Sequence, residues 1–284
     1  MKPLLGKVAL VTGASRGAGR GIALELGKAG ATVYVTGRSV RGNSTYNPAI
    51  QANSPGTIDD TADEINAEGG TAFPVRCDHT NDTEVEALIA RIRQEQGKLD
   101  ILVNNVWGGN ELAVWEPNPF WELTLKHWDN MFTTGVRAQL ATNHYAIPFM
   151  RENGGGLILH TTSWDDDKYI GHFYYDLAKN ALNRMAYGLS LELKEENIAV
   201  VAVSPGWMRT ELVLKIFHTD EEHWQEVDDL KQTESTHYVG RAVCALASDP
   251  NVMKKSGGVW PVGQLAEEYG FTDIDGRKVP VFRI

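Results

Sequence analysis

Two side chains in this sequence have the types and the spacing to move a proton. Tyr175 and Lys179 stand four residues apart in Tyr175-Asp176-Leu177-Ala178-Lys179. On a helix that spacing puts both on one face, one turn apart. A free phenol titrates near ~10 and is a poor acid at neutrality. An ammonium held beside it favours the phenolate and brings the pKa toward working pH. Such a pair can act as general acid or base on an alcohol or carbonyl oxygen. The same spacing also occurs on amphipathic helices that do no chemistry, so its meaning depends on the elements that position it.

Those elements alternate between short apolar runs and helical periodicity. Strands are expected at Lys7–Thr12, Ala31–Thr36, Thr71–Arg76, Leu99–Val103, Gly156–Thr161, Ile198–Val203 and Gly257–Val262. Helices are expected after Gly19 through Ile22, Leu24 and Leu26, then near Thr57–Glu68, Thr80–Gln96, Leu125–Arg151, 173–195 and Ser235–Ala247. Strand and helix in alternation predict an α/β fold, a doubly wound and mainly seven-stranded parallel sheet of the Rossmann type, with helices on both faces. The 284 residues read as one domain, with an inserted loop over about 40–56.

The first turn of that pattern is glycine-rich. Gly13-Ala14-Ser15-Arg16-Gly17-Ala18-Gly19 joins the first strand to the first helix. In that setting bare backbone N–H groups and the positive helix end bind a phosphate. Gly13 and Gly17 permit the tight turn and Gly19 a close approach, so a dinucleotide site is expected, although the spacing differs from Gly-x-Gly-x-x-Gly. An acid at the end of the second strand would bind a ribose 2′-hydroxyl and indicate NAD(H). Here the stretch is Thr36-Gly37-Arg38-Ser39. Arg38, with Arg16 reaching from the glycine turn, suits a 2′-phosphate and favours NADP(H) over NAD(H). Arg41 is a further basic residue nearby. Asp78, just past the third strand, either meets an adenine amino group or helps start the next helix.

The net charge of −10 argues against nucleic acid and against anionic membranes. No apolar run approaches the ~18 residues of a membrane span. Cys77 and Cys244 read as small core residues of a reducing compartment, the cytoplasm, and no metal-ligand spacing occurs.

Thr12-Gly13-x-x-x-Gly17-x-Gly19, Asn104-Asn105, Tyr175-x-x-x-Lys179 and Pro205-Gly206 with Thr210 follow one another in an order and spacing that resembles the short-chain dehydrogenase/reductase family. The resemblance covers about residues 5–263. A narrower likeness, to one branch of its reductases, rests on Phe120-Trp121-Glu122, on Ala245 through Asn251 and on Tyr269 through Arg277. The resemblance implies roles for several residues. Tyr175 is the acid/base, and Lys179 lowers its pKa and binds the nicotinamide ribose. Asn104 lies at the cofactor, Pro205-Gly206 close over the carboxamide, and Thr210 lies near the diphosphate. A hydroxyl after the fifth strand positions the substrate oxygen. Strand alignment gives Ser163 and spacing to the tyrosine gives Thr162; Ser163 is taken, with Thr162 as the alternative.

Two positions depart from the family pattern. Val106-Trp107 replaces a small pair beside the nicotinamide end, so Trp107 reads as a pocket wall or a core anchor. The family's helix asparagine, seven after a tryptophan, falls on Gly135 when counted from Trp128, which implies a variant proton relay. Residues 211–234 fall where the family has a variable substrate lid, and a homodimer or homotetramer through helices 125–151 and 173–195 is implied. The tail to Ile284 is guessed to cross a subunit boundary. The expected reaction is hydride transfer between NADP(H) and a small-molecule carbonyl or alcohol, bulky and apolar if Trp107, Trp164 and Trp207 line the site. The rivals are an NAD-linked alcohol dehydrogenase and a cofactor-binding protein with weakened chemistry.

Overall fold

The computed structural model describes residues 2–43, 46–47, 52–109, 118–164 and 166–283. The sheet strands are β1 Val8–Thr12, β2 Thr32–Gly37, β3 Thr71–Arg76, β4 Ile101–Asn104, β5 Gly156–Thr161, β6 Ile198–Ser204 and β7 Val259–Pro261. All pair in parallel, in the order β3-β2-β1-β4-β5-β6-β7. The winding reverses between β1 and β4, which opens a crevice at the strands' carboxyl ends. The helices are α1 Gly17–Lys28, α2 Ile58–Ala67, α3 Asp82–Gln96, α4 Ala138–Glu152, α5 Phe173–Glu192, α6 Glu211–Ile216, α7 Thr236–Ser248 and α8 Val262–Tyr269.

The strands are apolar throughout because helices cover both faces. Ala9, Val11, Ile101 and Val103 pack with Ile22 and Leu26 of α1 and Val239 and Val243 of α7. Val8, Leu10 and Leu102, the alternate residues, pack with Leu88 and Ile92 of α3, Phe149 of α4 and Ala186 of α5. Helices α1 and α7 meet backbone to backbone. A Cβ on Gly21 would lie 2.1 Å from the Thr236 carbonyl oxygen, and one on Gly240 would lie 2.6 Å from that of Gly21.

The expected helix over Leu125–Arg151 is not uniform. One α-helical turn at Lys126–Trp128 opens into a π-helical stretch, Asp129–Arg137, before α4 begins. Such wide turns cluster at functional sites, and Gly135 lies in this one. The insert contains a short antiparallel ladder between Tyr46–Asn47 and Ala52–Asn53. The remainder of the expected loop, 44–45 and 48–51, lies outside the described residues, as do Trp115 and Asp165.

The segment 211–234, expected as a lid, has its own small core of Leu214, Trp224 and Leu230. Buried Arg209 ties it down. Its Nε donates to Glu221 at 3.0 Å, its Nη1 donates to the Thr233 carbonyl at 3.2 Å, and its guanidinium lies 4.1 Å above the Trp224 ring. The tail, guessed to cross a subunit boundary, makes contacts with its own chain. Tyr238 Oη donates to the Val279 carbonyl, Phe282 abuts Gly206, and Arg283 pairs with Asp166 at 2.5 Å.

Candidate active site

The carboxyl ends of β1, β4, β5 and β6 bring the predicted residues into one crevice. The glycine turn is built for backbone approach. Gly13 and Gly17 have φ of +67° and +57°, where a side chain is strained. A Cβ on Gly19 would sit 2.3 Å from the Gly13 carbonyl oxygen. Ser15 is buried, and its carbonyl faces Gly56 so closely that a Cβ there would lie 2.4 Å away.

Asn105, which sequence reasoning passed over for its neighbour, holds this turn. Its amide donates to the carbonyls of Thr12 and Gly13 at 3.1 and 3.0 Å, and its Oδ1 accepts from Thr161 at 3.2 Å. Asn104 is the residue expected at the cofactor, and its side chain points into the fold. It is fully buried and donates to Asn143 at 2.7 Å, away from the glycine turn. Strand alternation explains this, since adjacent side chains at a strand end face opposite ways. Behind Asn104, Asn143 meets His160 at 3.2 Å, and His160 meets Gln139 at 2.7 Å. Burial holds His160 down to about 3, so the imidazole is neutral.

The Gly17 N–H is bonded at 2.8 Å to the carboxylate of Glu211, at the start of the lid. This bond shows that the turn accepts an anion, the property a dinucleotide diphosphate requires. Thr210 lies over the same glycine: its methyl would be 3.6 Å from a Cβ on Gly17, and its hydroxyl caps α6 by accepting from Val213. Glu211 carries no motif of its own; only its place after Thr210 hinted at it.

At the adenosine end, Arg16 is drawn toward the returning insert. Its Nε donates to the Pro55 carbonyl at 2.8 Å, and its Nη2 to Ser39 and to the Gly56 carbonyl. Burial pulls its guanidinium down, while Glu211 raises it and Arg38 lowers it, so the two arginines are electrostatic neighbours. Arg38 is exposed just past β2. Arg41 turns instead to α2, pairing with Asp60 at 3.0 Å and Asp63 at 2.7 Å. Asp78 bonds the turn before α3, with its Oδ1 accepting from Thr80 N–H and hydroxyl, while Asn81 caps the helix itself. Burial works to raise the Asp78 carboxyl, but these bonds, with Arg38 and Arg76, hold it below the usual range.

Tyr175 sits in the first turn of α5. His172 caps that helix, its Nδ1 accepting from Tyr175 N–H at 3.3 Å, and Asp176 accepts from Ile170 N–H at 3.1 Å. Ser163 hydrogen-bonds the Tyr175 phenol. Burial pushes that phenol up from its ordinary value, and the serine bond opposes the rise. The Thr162 hydroxyl is turned to the helix backbone, donating to the Lys179 carbonyl at 3.1 Å. Lys179 is buried, and burial lowers its ammonium to about 7. It lies 3.9 Å above the Trp107 ring and 5.5 Å from the Tyr175 ring.

Pro205 and Gly206 follow β6 directly. Beneath Gly206 lies Glu234, buried, with Oε1 unpartnered. Burial raises its carboxyl to about 8, against a lowering bond from Gly206 N–H. Trp164 N–H donates to Ser204 at 2.9 Å and its indole to Asp167 at 3.0 Å, while Trp207 stacks edge-on with Phe217 of the lid. Among the described residues no group of three metal-ligating side chains forms, and no helix is long and apolar enough to cross a membrane.

The arrangement can hold an extended anionic dinucleotide along the carboxyl edge of the sheet. It also sets a phenol beside a hydroxyl, with an ammonium near the phenol ring. Comparison with known proteins agrees. Residues 7–221 match the family model for short chain dehydrogenase. The chain is 37% identical to dehydrogenase/reductase SDR family member 1 of Mus musculus, over 98% of this chain and 86% of that one. It is 32% identical to 7alpha-hydroxysteroid dehydrogenase of Escherichia coli (strain K12), over 74% of each. A solved structure of 7 alpha-hydroxysteroid dehydrogenase complexed with NADH and 7-oxo glycochenodeoxycholic acid superposes with a TM-score of 0.71. It is 29% identical, covering 92% of this chain and 94% of that one. The matched span, the 37% relative and the crevice together place one conclusion beyond the fold: the chain belongs to the short-chain dehydrogenase family of oxidoreductases.

Proposed function

We propose that this oxidoreductase transfers a hydride between NADP(H) and a bulky, apolar carbonyl or alcohol, as a carbonyl reductase. The observation that carries this reading is Ser163 bonded to the Tyr175 phenol on the same crevice as the Gly17 N–H, which already holds a carboxylate. The nicotinamide dinucleotide, when bound, supplies or accepts the hydride. The chain's own residues do the rest. Tyr175 exchanges a proton with the substrate oxygen, and Ser163 donates a hydrogen bond to that oxygen. Lys179 supplies positive charge that steadies the phenolate and reaches the nicotinamide ribose. Gly13, Ser15, Gly17, Gly19 and Thr210 cradle the diphosphate, Arg38 with Arg16 reads the 2′-phosphate, and Pro205 and Gly206 face the carboxamide.

Trp107, Trp164 and Trp207 supply apolar surface for the substrate. Two of the similar proteins are 7alpha-hydroxysteroid dehydrogenases, so a 7-oxo steroid is the first carbonyl compound to try. The protein works in the cytoplasm as a homodimer or homotetramer, with exposed Leu140, Leu177 and Leu191 as the self-association surface. NAD(H) is the second reading, favoured by the bonds that engage Arg16 with the insert.

Thermal unfolding with NADPH, with NADH and with neither tests the cofactor. Ligand at a hundred times its Kd stabilises by about 2.7 kcal/mol. A shift with NADPH alone, followed by NADPH oxidation on a ketone panel, is expected. A shift with NADH alone would move the reading to an NAD-linked dehydrogenase. No shift with either would sink the enzymatic reading.

A further inference from the structure

The Lys179 ammonium is buried, and among the described residues its Nζ makes no hydrogen bond and meets no carboxylate. A buried cation without a counter-charge needs another source of attraction. The face of an indole is one, because its ring quadrupole is negative above the plane and acts more strongly once water is excluded. Trp107 lies in that place, with Nζ 3.9 Å from its ring centroid. The Tyr175 ring meets the same indole edge-on, at 5.5 Å between centroids and 86° between planes. One aromatic ring thus touches both members of the Tyr–Lys pair.

The surroundings are cut to fit this ring. A Cβ on Gly135 would lie 2.8 Å from Cε3 and Cζ3 of the indole, and a Cβ on Gly109 would lie 2.6–2.7 Å from Cζ2, Cε2 and Nε1. Any side chain at either position would push the ring from its seat. Leu123, Met131, Tyr174 and Ala178 form the rest of that packing cluster. The π-helical stretch carries Gly135 to the ring. The position therefore has two coupled requirements, a large aromatic at 107 and no side chain at 135.

We propose that Trp107 is a positioning residue for the reaction, its indole face carrying the Lys179 ammonium beside Tyr175, with Gly135 glycine so that the indole can be seated. This rests on the proposed roles of Tyr175 and Lys179. The ring favours the charged lysine against the burial that disfavours it, and it fixes where that charge lies. Among the described residues, Tyr175 also touches the indole.

A sterically quiet experiment tests it. Tryptophan is replaced biosynthetically by mono-, di- and tetrafluorotryptophan, which drains the ring face of negative potential and preserves its shape. The pKa of Lys179 is read in the cofactor-free protein by NMR of labelled lysine side chains, the resonance being assigned with Lys179→Met. The pKa is expected to fall stepwise through the series, by about one unit in all. In a Trp107→Phe background the dependence should vanish. A Lys179 pKa indifferent to fluorination would overturn the proposal. Gly135→Ala, with ordinary tryptophan, should move the same resonance; an unmoved one would overturn the glycine's part. The lysine readout needs no substrate. A stepwise fall without turnover of any ketone would remove the proposed function and leave the ring's hold on Lys179 standing. Turnover with a flat series would do the reverse.

Discussion

The Glu211 carboxylate accepts the Gly17 backbone N–H at 2.8 Å. A lid residue thus occupies a donor that a dinucleotide diphosphate would use, and it carries the same sign of charge. Binding must displace it. Glu211→Gln removes the charge and keeps the shape, so NADPH is expected to bind about threefold to tenfold more tightly. Titration calorimetry in low salt measures this. Unchanged or weaker binding would show that the carboxylate does not compete.

Tyr175→Phe removes the proton and leaves the ring. Turnover should fall by about 10² to 10⁴, while the thermal shift with cofactor persists. Ser163→Ala should lower kcat more than it raises KM, and Thr162→Ala should leave kcat near that of the parent, because that hydroxyl faces the Lys179 carbonyl. A large loss from Thr162→Ala alone would exchange the two assignments.

Arg38 stands exposed just past β2, and Arg16 bonds Ser39, Pro55 and Gly56. Arg38→Ala should weaken NADPH by about tenfold to a hundredfold and NADH little, the loss of a charge-assisted bond. Equal losses for both cofactors would contradict a 2′-phosphate contact.

Glu234 sets a pH dependence of stability. Its folded pKa, about 8, stands above that of a free glutamic acid, so the native state holds a proton that the unfolded chain releases. Its stabilising contribution is full below the ordinary carboxyl pKa. It is lost as pH rises toward about 8, at about 1.4 kcal/mol per unit of separation. Glu234→Gln keeps the neutral form at every pH. The stability difference between variant and parent should therefore grow from pH 5 to pH 8 and level off above. Chemical denaturation at fixed pH values checks it, and a constant difference would refute the assignment. Using the difference cancels His79 and His160, whose lowered values act in the opposite sense at acid pH.

The fold was legible because each level of the sequence agreed with the next. Runs such as Ile198–Val203 are apolar at every position because both faces of the sheet are covered, and caps such as Thr57 with Asp60 mark where helices begin. The Tyr175–Lys179 pair was legible because its spacing is local. What escaped depends on contacts distant in sequence. Trp107 and Gly135 lie far apart in the chain, and a glycine announces no partner. Asn104 and Asn105 are adjacent and chemically alike, so only the strand's alternation tells which one faces the glycine turn. The Glu211–Gly17 bond joins residues from the two ends of the fold. Burial also works against one expectation. The sequence leads to the expectation of a lysine that lowers the tyrosine pKa; burial acts the other way on the phenol and lowers Lys179, while the Ser163 bond lowers Tyr175.

The glycine contact between α1 and α7 bears on how the protein is made. Helix α1 carries the phosphate-binding turn, yet its flank at Gly21 is closed by Thr236, which a ribosome adds more than two hundred residues later. A growing chain can pair β1, β2 and β3 early, but α1 lies with an open side until α7 emerges. Nascent chains should thus acquire protease resistance around Gly21 only after residue 248 has cleared the exit tunnel, which stalled-chain proteolysis can measure. Protection of that region on shorter chains would show that α1 settles without its partner. The first part of the sequence would then be among the last to become rigid.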